Sequence, residues 1–575
     1  MTGSILPYDL TVESLTDPVG IDTPEPRLSW KSKAVQQNAY HLKQSAWQIV
    51  TASSKENLDL GVYDLWDSGK VNSSDSLFIS YKGKKLETSQ YCYWKVRVWD
   101  QNGNVSRWSE TGRWGMAIMD PADWSASWIG MPETLRPNVD LSDAHWIGCS
   151  KKEAKTTYLR KTFDLNISKE DLEKKEIYAL LRYAGNQKFE MFLNGEPIGF
   201  SIGIICNPNL LRTIDISERL VPGKNILAIF LKNRNSPDPL AFLGKLEIGK
   251  IDKTEIPEQK RTLSYRGVPE TPFQIIRTDS TWTASETAGK DWNTLQLKGI
   301  WPNATVLFEP DNGPWGNVRR TDEKESPLFQ KKFTLKKKVN RAILHICGLG
   351  FYEASLNGKR IGDKRLDPAP TNFDKTVLYS SYELTEELNE GVGCEQDFRV
   401  QLGHGWYDVR AIVTWNFDAA PWKNFPRLIA QLELVYDDGS KEKILSDTNW
   451  SALRSPFIFD CIRQGEIFDA NRKPDLLGQA VVVPAPKGKM KAQMMPPAKI
   501  TEVFHPVTVQ KIDDNTQVAD LGRNIAGWCA ITIRNSQKGD VIRFRYSERI
   551  DQNGKIERKT LEEHFMEGSP AILSG

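Results

Sequence analysis

The sequence predicts an all-β chain assembled from several sandwiches, and three observations predict it. Apolar and polar residues alternate with period two in YWKVRVWD (93–100), FEMFLNG (189–195), LIAQLELVYDDGS (428–440) and DVIRFRYSE (540–548). That is the pattern of half-buried antiparallel strands. Turn pairs punctuate the alternation at Asn357-Gly358, Asp438-Gly439 and Asn553-Gly554, where both residues tolerate the positive φ of a tight hairpin. Aromatic residues make up 10% of the chain, with Trp 19, Tyr 16 and Phe 22. This suits strand-rich cores and flat binding surfaces.

At 575 residues the chain has room for about three to five domains. A formal net charge of +2 removes the electrostatic case for a nucleic-acid partner. No apolar run approaches the roughly 18 residues of a membrane span. The N-terminal stretch MTGSILPYDLTVESLTD has neither a basic nor an apolar signal region. The chain therefore reads as cytoplasmic, or as periplasmic or secreted if a leader was processed. Seven scattered cysteines (Cys92, Cys149, Cys206, Cys347, Cys394, Cys461 and Cys529) form no CxxC pair, and the 6 histidines form no HExxH. Neither a zinc site nor a dense disulfide framework is expected.

The elements follow in order. A Pro-rich entry (Pro18, Pro24, Pro26) suits an edge strand, and SAWQIVTAS (45–53) and YCYWKVRVWD (91–100) give a core with Trp94 mid-strand. This first module, closing near 108–116, looks like a fibronectin type III-like sandwich. SKEDLEKKE (168–176) reads as a short capped helix. An internal repeat then dominates. YLRKTFDLNIS…EIYALLRYAGNQKFEMFLNGEPIG (158–199) and LFQKKFTLKKKVNRAILHICGLGFYEASLNGKRIG (328–362) follow the same plan. Leu193-Asn194-Gly195 matches Leu356-Asn357-Gly358, and Ile198-Gly199 matches Ile361-Gly362. Two copies this far apart imply two jelly rolls. VADLGRNIAGWCAITIR (518–534) and GDVIRFRYSERIDQNGKI (539–556) read as strands of a further, partial sandwich.

Several stretches in this order resemble the front half of a bacterial α-L-rhamnosidase of glycoside hydrolase family 78. They are PVGIDTPEPRLSW (18–30), DLWDSGKVNSS (64–74), ADWSASWIG (122–130), CGLGFYEASLNGKRIGD (347–363), LDPAPTNFDKTVLY (366–379), LGHGWYD (402–408), ADLGRNIAGW (519–528) and RYSERIDQNGKI (545–556). The resemblance implies a fibronectin type III-like module over 1–120 and a first jelly roll with linkers over 121–320. It implies a second jelly roll over 321–490 and an incomplete sandwich over 491–575, leading towards a catalytic (α/α)6 barrel. The family reaction is inverting hydrolysis of terminal non-reducing α-L-rhamnose residues. The barrel's acidic signature, a Cys-Pro-Gln-Arg-Asp-Glu-Arg-like run, has no counterpart in these residues. The chain is therefore expected to be a truncated, non-catalytic β-portion, inactive alone. Its alternative is a stand-alone carbohydrate-binding or adhesion protein. The stretch 391–403 departs from the family's simple turn and strand.

An inverting glycosidase needs a protonated and an ionised carboxyl roughly 6.5–9.5 Å apart. Asp437-Asp438 falls in a hairpin turn, Glu386-Glu387 on a surface segment and Glu562-Glu563 in the tail, so no catalytic residue is assigned. Better candidates are aromatic. Trp406 and Asp408 follow a strand, and Trp415 and Trp422 lie in the loop beyond. An indole face beside a carboxylate matches a sugar's apolar face and hydroxyl rim, whereas a purely structural role would make Trp406 core and the others loop anchors. Asp363, Asp367, Asn372 and Asp374 are oxygen-rich enough for Ca²⁺ but lack the fixed spacing of a calcium loop, so no metal or cofactor is assigned. The expected partners are rhamnose-containing glycans or glycosides, together with a second copy or the missing catalytic domain.

Overall fold

The computed structural model describes residues 3–557, apart from 37–38, 133–139, 152, 174–176, 201–210, 234–235, 253–267, 270, 298, 317, 319–325, 410–416, 418–419, 463–464, 538–541 and 543. The first sandwich pairs a five-stranded sheet with a three-stranded one. The first takes Val19–Ile21, Gly112–Met116, Tyr91–Asp100, Gln44–Ala52 and Trp66–Asp67 in that order, and the second Ile5–Val12, Arg27–Ala34 and Ile79–Ser80. Along Tyr91–Asp100 the alternation turns Cys92, Trp94, Val96 and Val98 into a core shared with Trp30, Tyr81 and Trp114. A side chain at Gly112 would lie 2.6 Å from Trp94 Nε1, so glycine there makes room for the buried indole.

The two repeat copies form two sandwiches with matching strand order. In the first, one sheet runs Arg212–Asp215, Ile177–Gly185, Phe242–Asp252, Trp146–Gly148, Thr305–Phe308. In the second, the counterpart runs Thr376–Glu383, Val339–Leu349, Arg427–Tyr436, Ile129–Gly130, Val481–Val482. The facing sheets run Glu196–Phe200, Lys188–Leu193, Gly223–Lys232, Thr156–Leu165, Thr283–Ser285, and Lys359–Arg360, Phe351–Leu356, Glu395–Gly403, Leu328–Thr334, Ser451–Leu453. Each pair of sheets closes on its own core, around Leu159, Phe189 and Phe242 in one and Phe329, Leu344 and Trp450 in the other. Ile129 pairs with Leu428 and with Val482, so the chain lends the second sandwich a strand before it builds the first.

The N-terminal sandwich meets the second jelly roll through buried polar contacts. His345 bonds to Ser89 Oγ and Ser381 Oγ, each at 2.8 Å, and Ile118 N donates to Tyr379 Oη at 3.0 Å. Gln431 Oε1 accepts from the N–H groups of Ser125 and Ala126, while its amide donates to Asp123 O.

Helices are few and short among the described residues: Lys55–Asp59, Lys169–Glu173 and Thr385–Asn389. None is long or apolar enough to cross a membrane. The stretch 391–403 becomes a turn at Gly393 followed by the strand Glu395–Gly403. The last segment departs from expectation. Its described residues form the hairpin Thr508–Asp513 with Thr516–Asp520, and the described residues of the alternating stretches beyond, between 521 and 557, form no strand. Alternation specifies a half-buried strand only where another sheet covers the apolar face. Here Trp528, Ile531, Ile533, Phe544 and Tyr546 stay exposed.

Candidate functional site

The strand Glu395–Gly403 delivers the chain to a tight turn at Gly403-His404-Gly405, packed against Gly350. A Cβ on Gly350 would fall 1.9 Å from His404 O, so this approach requires glycine. His404 N donates to Asp460 Oδ2 at 2.6 Å, and Asp408 N returns to His404 O at 3.0 Å, closing one turn. That turn brings the two side chains together, with His404 Nδ1 2.9 Å from Asp408 Oδ2. Both are buried, at 1% and 5% side-chain exposure. Lys423 Nζ stands 4.0 Å from Asp408 Oδ1 and donates to Val409 O. Asp408 is thus an inward anchor between an imidazole and an ammonium. His404 Nε2 is buried without a hydrogen-bond partner.

The aromatic residues surround this anchor. Trp406 is half-buried and meets Phe417 edge-to-face at 5.5 Å. Phe417 lies 6.0 Å from Trp422, and Trp422 lies 6.1 Å from Phe373, which also packs on buried Tyr407 at 5.2 Å. Trp422 is half-buried, yet its Nε1 is a buried donor without an acceptor. The structure therefore gathers Trp406, Asp408 and Trp422 in one place. Trp415 lies outside the described residues. Sequence reasoning missed His404, Phe373, Phe417 and Lys423. Of these, the spacing His404-x-x-x-Asp408 is a readable sign that two polar side chains share one turn.

The acidic pairs are engaged elsewhere. Asp438 pairs with Lys337 and caps Ser440, and these bonds hold its carboxyl far below the usual range. Glu386 and Glu387 lie in the first turn of Thr385–Asn389, and Glu562-Glu563 falls outside the described residues. Among the described residues Glu466 is the carboxyl pushed upward, by burial and then by the neighbouring charges of Asp460 and Glu353. The oxygen-rich run is spent on the fold. Asp367 accepts from Ser380 Oγ at 2.7 Å and Gln493 Nε2 at 3.0 Å, and Asn372 caps Asp374 N at 3.1 Å. Among the described residues no group of three His, Cys, Asp or Glu side chains is placed to hold a metal ion.

Comparison with known proteins adds independent findings. Residues 7–120 match the profile "Rha78A-like, N-terminal immunoglobulin domain". Residues 337–502 match "Alpha-L-rhamnosidase N-terminal domain", and 510–575 match "Bacterial alpha-L-rhamnosidase concanavalin-like domain". An alpha-L-rhamnosidase of Streptomyces avermitilis is 29% identical over 569 residues, covering 95% of this chain and 51% of that protein. One of Formosa agariphila is 24% identical over 554 residues, covering 94% and 40%. The crystal structure of the Streptomyces avermitilis alpha-L-rhamnosidase complexed with L-rhamnose superposes with a TM-score of 0.62 at 27% identity, covering 97% of this chain and 53% of that one. The chain spans about half the length, or less, of the relatives it matches.

Proposed function

This chain belongs to the bacterial alpha-L-rhamnosidases of glycoside hydrolase family 78, and from that premise we propose that residues 1–575 are the non-catalytic, β-rich part of a glycosidase acting on terminal α-L-rhamnose residues. The observation that carries this is the succession of three rhamnosidase domain profiles along the chain, with relatives aligned over 94–95% of its length. The division into 1–120, 121–320, 321–490 and 491–575 is part of the proposal, with Ile129–Gly130 lent forward to the second jelly roll.

Inverting hydrolysis needs an acid and a base facing one another across the sugar. Among the described residues Asp438 is ion-paired with Lys337, and Glu386 and Glu387 lie on a surface helix, so these sequence-flagged acids offer no such pair; this supports a binding and scaffolding role. Trp406, Trp415 and Trp422 are the proposed rhamnoside contacts. Asp408 contributes from within, holding His404 and standing near Lys423, and rhamnose-containing glycosides are the proposed ligands.

The test is an assay of the purified 575-residue chain with p-nitrophenyl α-L-rhamnoside. Turnover should equal that of a control protein without an active site. Turnover above the control that disappears when one acidic pair is replaced would overturn the non-catalytic reading.

A further inference from the structure

The sheet that contains Ile177–Gly185 and Phe242–Asp252 sets three cations side by side on its outer face. Register places them. Arg182 lies opposite Lys245, and Lys245 lies opposite Arg277 on the short strand Gln274–Arg277. Their neighbours Leu181, Tyr183, Leu246, Ile248 and Ile276 point the other way, into the core. Adjacent strands lie about 5 Å apart, and like charges directly opposite one another destabilise a sheet. Burial adds to that cost, since the Lys245 side chain is 4% exposed and that of Arg182 12%.

The acids nearby answer only part of this charge. Glu247 pairs with both Arg182 Nη1 and Lys245 Nζ, the latter at 2.9 Å. Asp140 offers Lys245 its backbone carbonyl, which accepts from Nζ at 2.7 Å. Its carboxylate accepts instead from Ser142 N and Ser142 Oγ, each at 2.9 Å. That carboxylate stands 4.0 Å from Lys245 Nζ and is 64% exposed, so solvent screens it. Arg277 has no ion-pair partner among the described residues, and its Nε is buried without an acceptor. Deducting Glu247 from the three cations leaves an excess of two positive charges, fixed on strands.

We propose that this face is an oxyanion site, on which Arg277, Lys245 and Arg182 bind a sulfate or phosphate group, free or as a monoester. Guanidinium forks present paired N–H donors that match tetrahedral oxyanions, and the lysine between them adds a point charge. A bound dianion gives Arg277 the acceptor it lacks and cancels the repulsion along the row. A carboxylate of single charge answers less of that repulsion, and an uncharged ligand answers none. Register and charge carry this site independently of the rhamnosidase reading.

The experiment titrates the full chain with sodium sulfate by calorimetry, with sodium chloride holding the ionic strength constant. Saturable binding is expected, weakened at least tenfold by Arg277→Ala and restored in part by Arg277→Lys. Inorganic phosphate should compete with sulfate, and acetate should bind at least tenfold more weakly. Glu247→Gln removes the competing carboxylate and should tighten sulfate at least threefold, which a purely structural ion pair does not predict. Should Arg277→Ala lose its circular-dichroism signature, Glu247→Gln decides, and unchanged or weaker binding there overturns the site. Methyl sulfate separates the two sources. Affinity equal to that of inorganic sulfate assigns the site to an ester-borne group, and affinity tenfold lower assigns it to the free ion. No saturable binding by the wild type, or equal affinity in a folded Arg277→Ala, overturns the site. So does a sulfate-dependent rise in melting temperature that is the same in both proteins, because that is the general exclusion of sulfate from protein surfaces. Acetate binding as tightly as sulfate overturns the ligand class.

Discussion

The side-chain carbonyl of Asn357 accepts the backbone N–H of Asp397 at 2.8 Å, and its amide donates to Gln396 Oε1 at 2.8 Å. In the other jelly roll, Asn194 Oδ1 accepts from Ile226 N at 2.9 Å and its amide donates to Asn225 Oδ1 at 2.9 Å. Both asparagines have positive φ, 52° and 54°. The same residue type, at the same turn of the same repeat, ties the hairpin tip to the neighbouring strand.

Asn357→Ala should therefore destabilise the second jelly roll by about 1–2 kcal/mol, since it removes a backbone partner and places alanine at positive φ. Hydrogen exchange at the Asp397 amide should accelerate more than at Val400 in the same strand. Equal protection at both amides would show that the latch contributes nothing.

These latches explain how far the fold was legible. Leu-Asn-Gly was readable because the turn needs asparagine and glycine for a local backbone reason. The alternation of residues 93–100 was readable because Trp94 and Val96 meet a covering sheet within the same module. The alternation of residues 518–534 misled, because Ile531 and Ile533 have no such cover among the described residues. At the candidate site, sequence located Trp406 and Trp422 but not the side on which Asp408 faces. That direction depends on His404 and on the close approach of Gly350, a contact between segments more than fifty residues apart.

Gly350→Ala should be among the most damaging single changes in the chain. Its Cβ would meet a carbonyl oxygen at 1.9 Å, and backbone cannot swing aside as a side chain does. Gly358→Ala makes the comparison. Gly358 has φ +79° and open space around it, so it should cost only about 1 kcal/mol. Thermal unfolding of the two variants checks the order, and equal losses would refute the packing argument.

Trp422→Phe should leave stability within about 1 kcal/mol of the wild type, since it keeps ring packing on Phe373 and deletes a buried donor that has no acceptor. Trp422→Ala should cost more, through lost contact with Phe373 and Phe417. If the exposed part of the Trp422 ring meets a sugar, the alanine variant loses more rhamnoside affinity than its change in melting temperature explains, and the phenylalanine variant keeps most of it. Paired melting and titration experiments separate these effects.

Acid should loosen the junction between the N-terminal sandwich and the second jelly roll, with His345 as the sensor. The imidazole is fully buried between Ser89 and Ser381, with Trp124 and Tyr379 edge-on to its ring. Burial lowers its pKa from 6.5 to about 4, nearby Glu433 opposes the shift and Lys443 adds to it. Burial also acts on Glu433, but hydrogen bonds from Ser89 and Gln431 outweigh it and hold that carboxyl low. The sign follows from proton counting. Between pH 6.5 and 4 the unfolded chain holds a proton on residue 345 that the folded chain refuses, so stability falls as pH drops through that window. Loss of the Glu433 charge deepens the fall below pH 4.5, because its folded pKa lies below its unfolded one. His345→Gln keeps a polar group beside both serines and cannot titrate. Its unfolding midpoint should depend less steeply on pH between 6.5 and 4 than that of the wild type. Limited proteolysis near residues 117–126, where Gln431 and Tyr379 hold the connecting segment, should speed up in acid for the wild type and not for the variant. Parallel pH profiles for the two proteins would place the acid sensitivity on other groups.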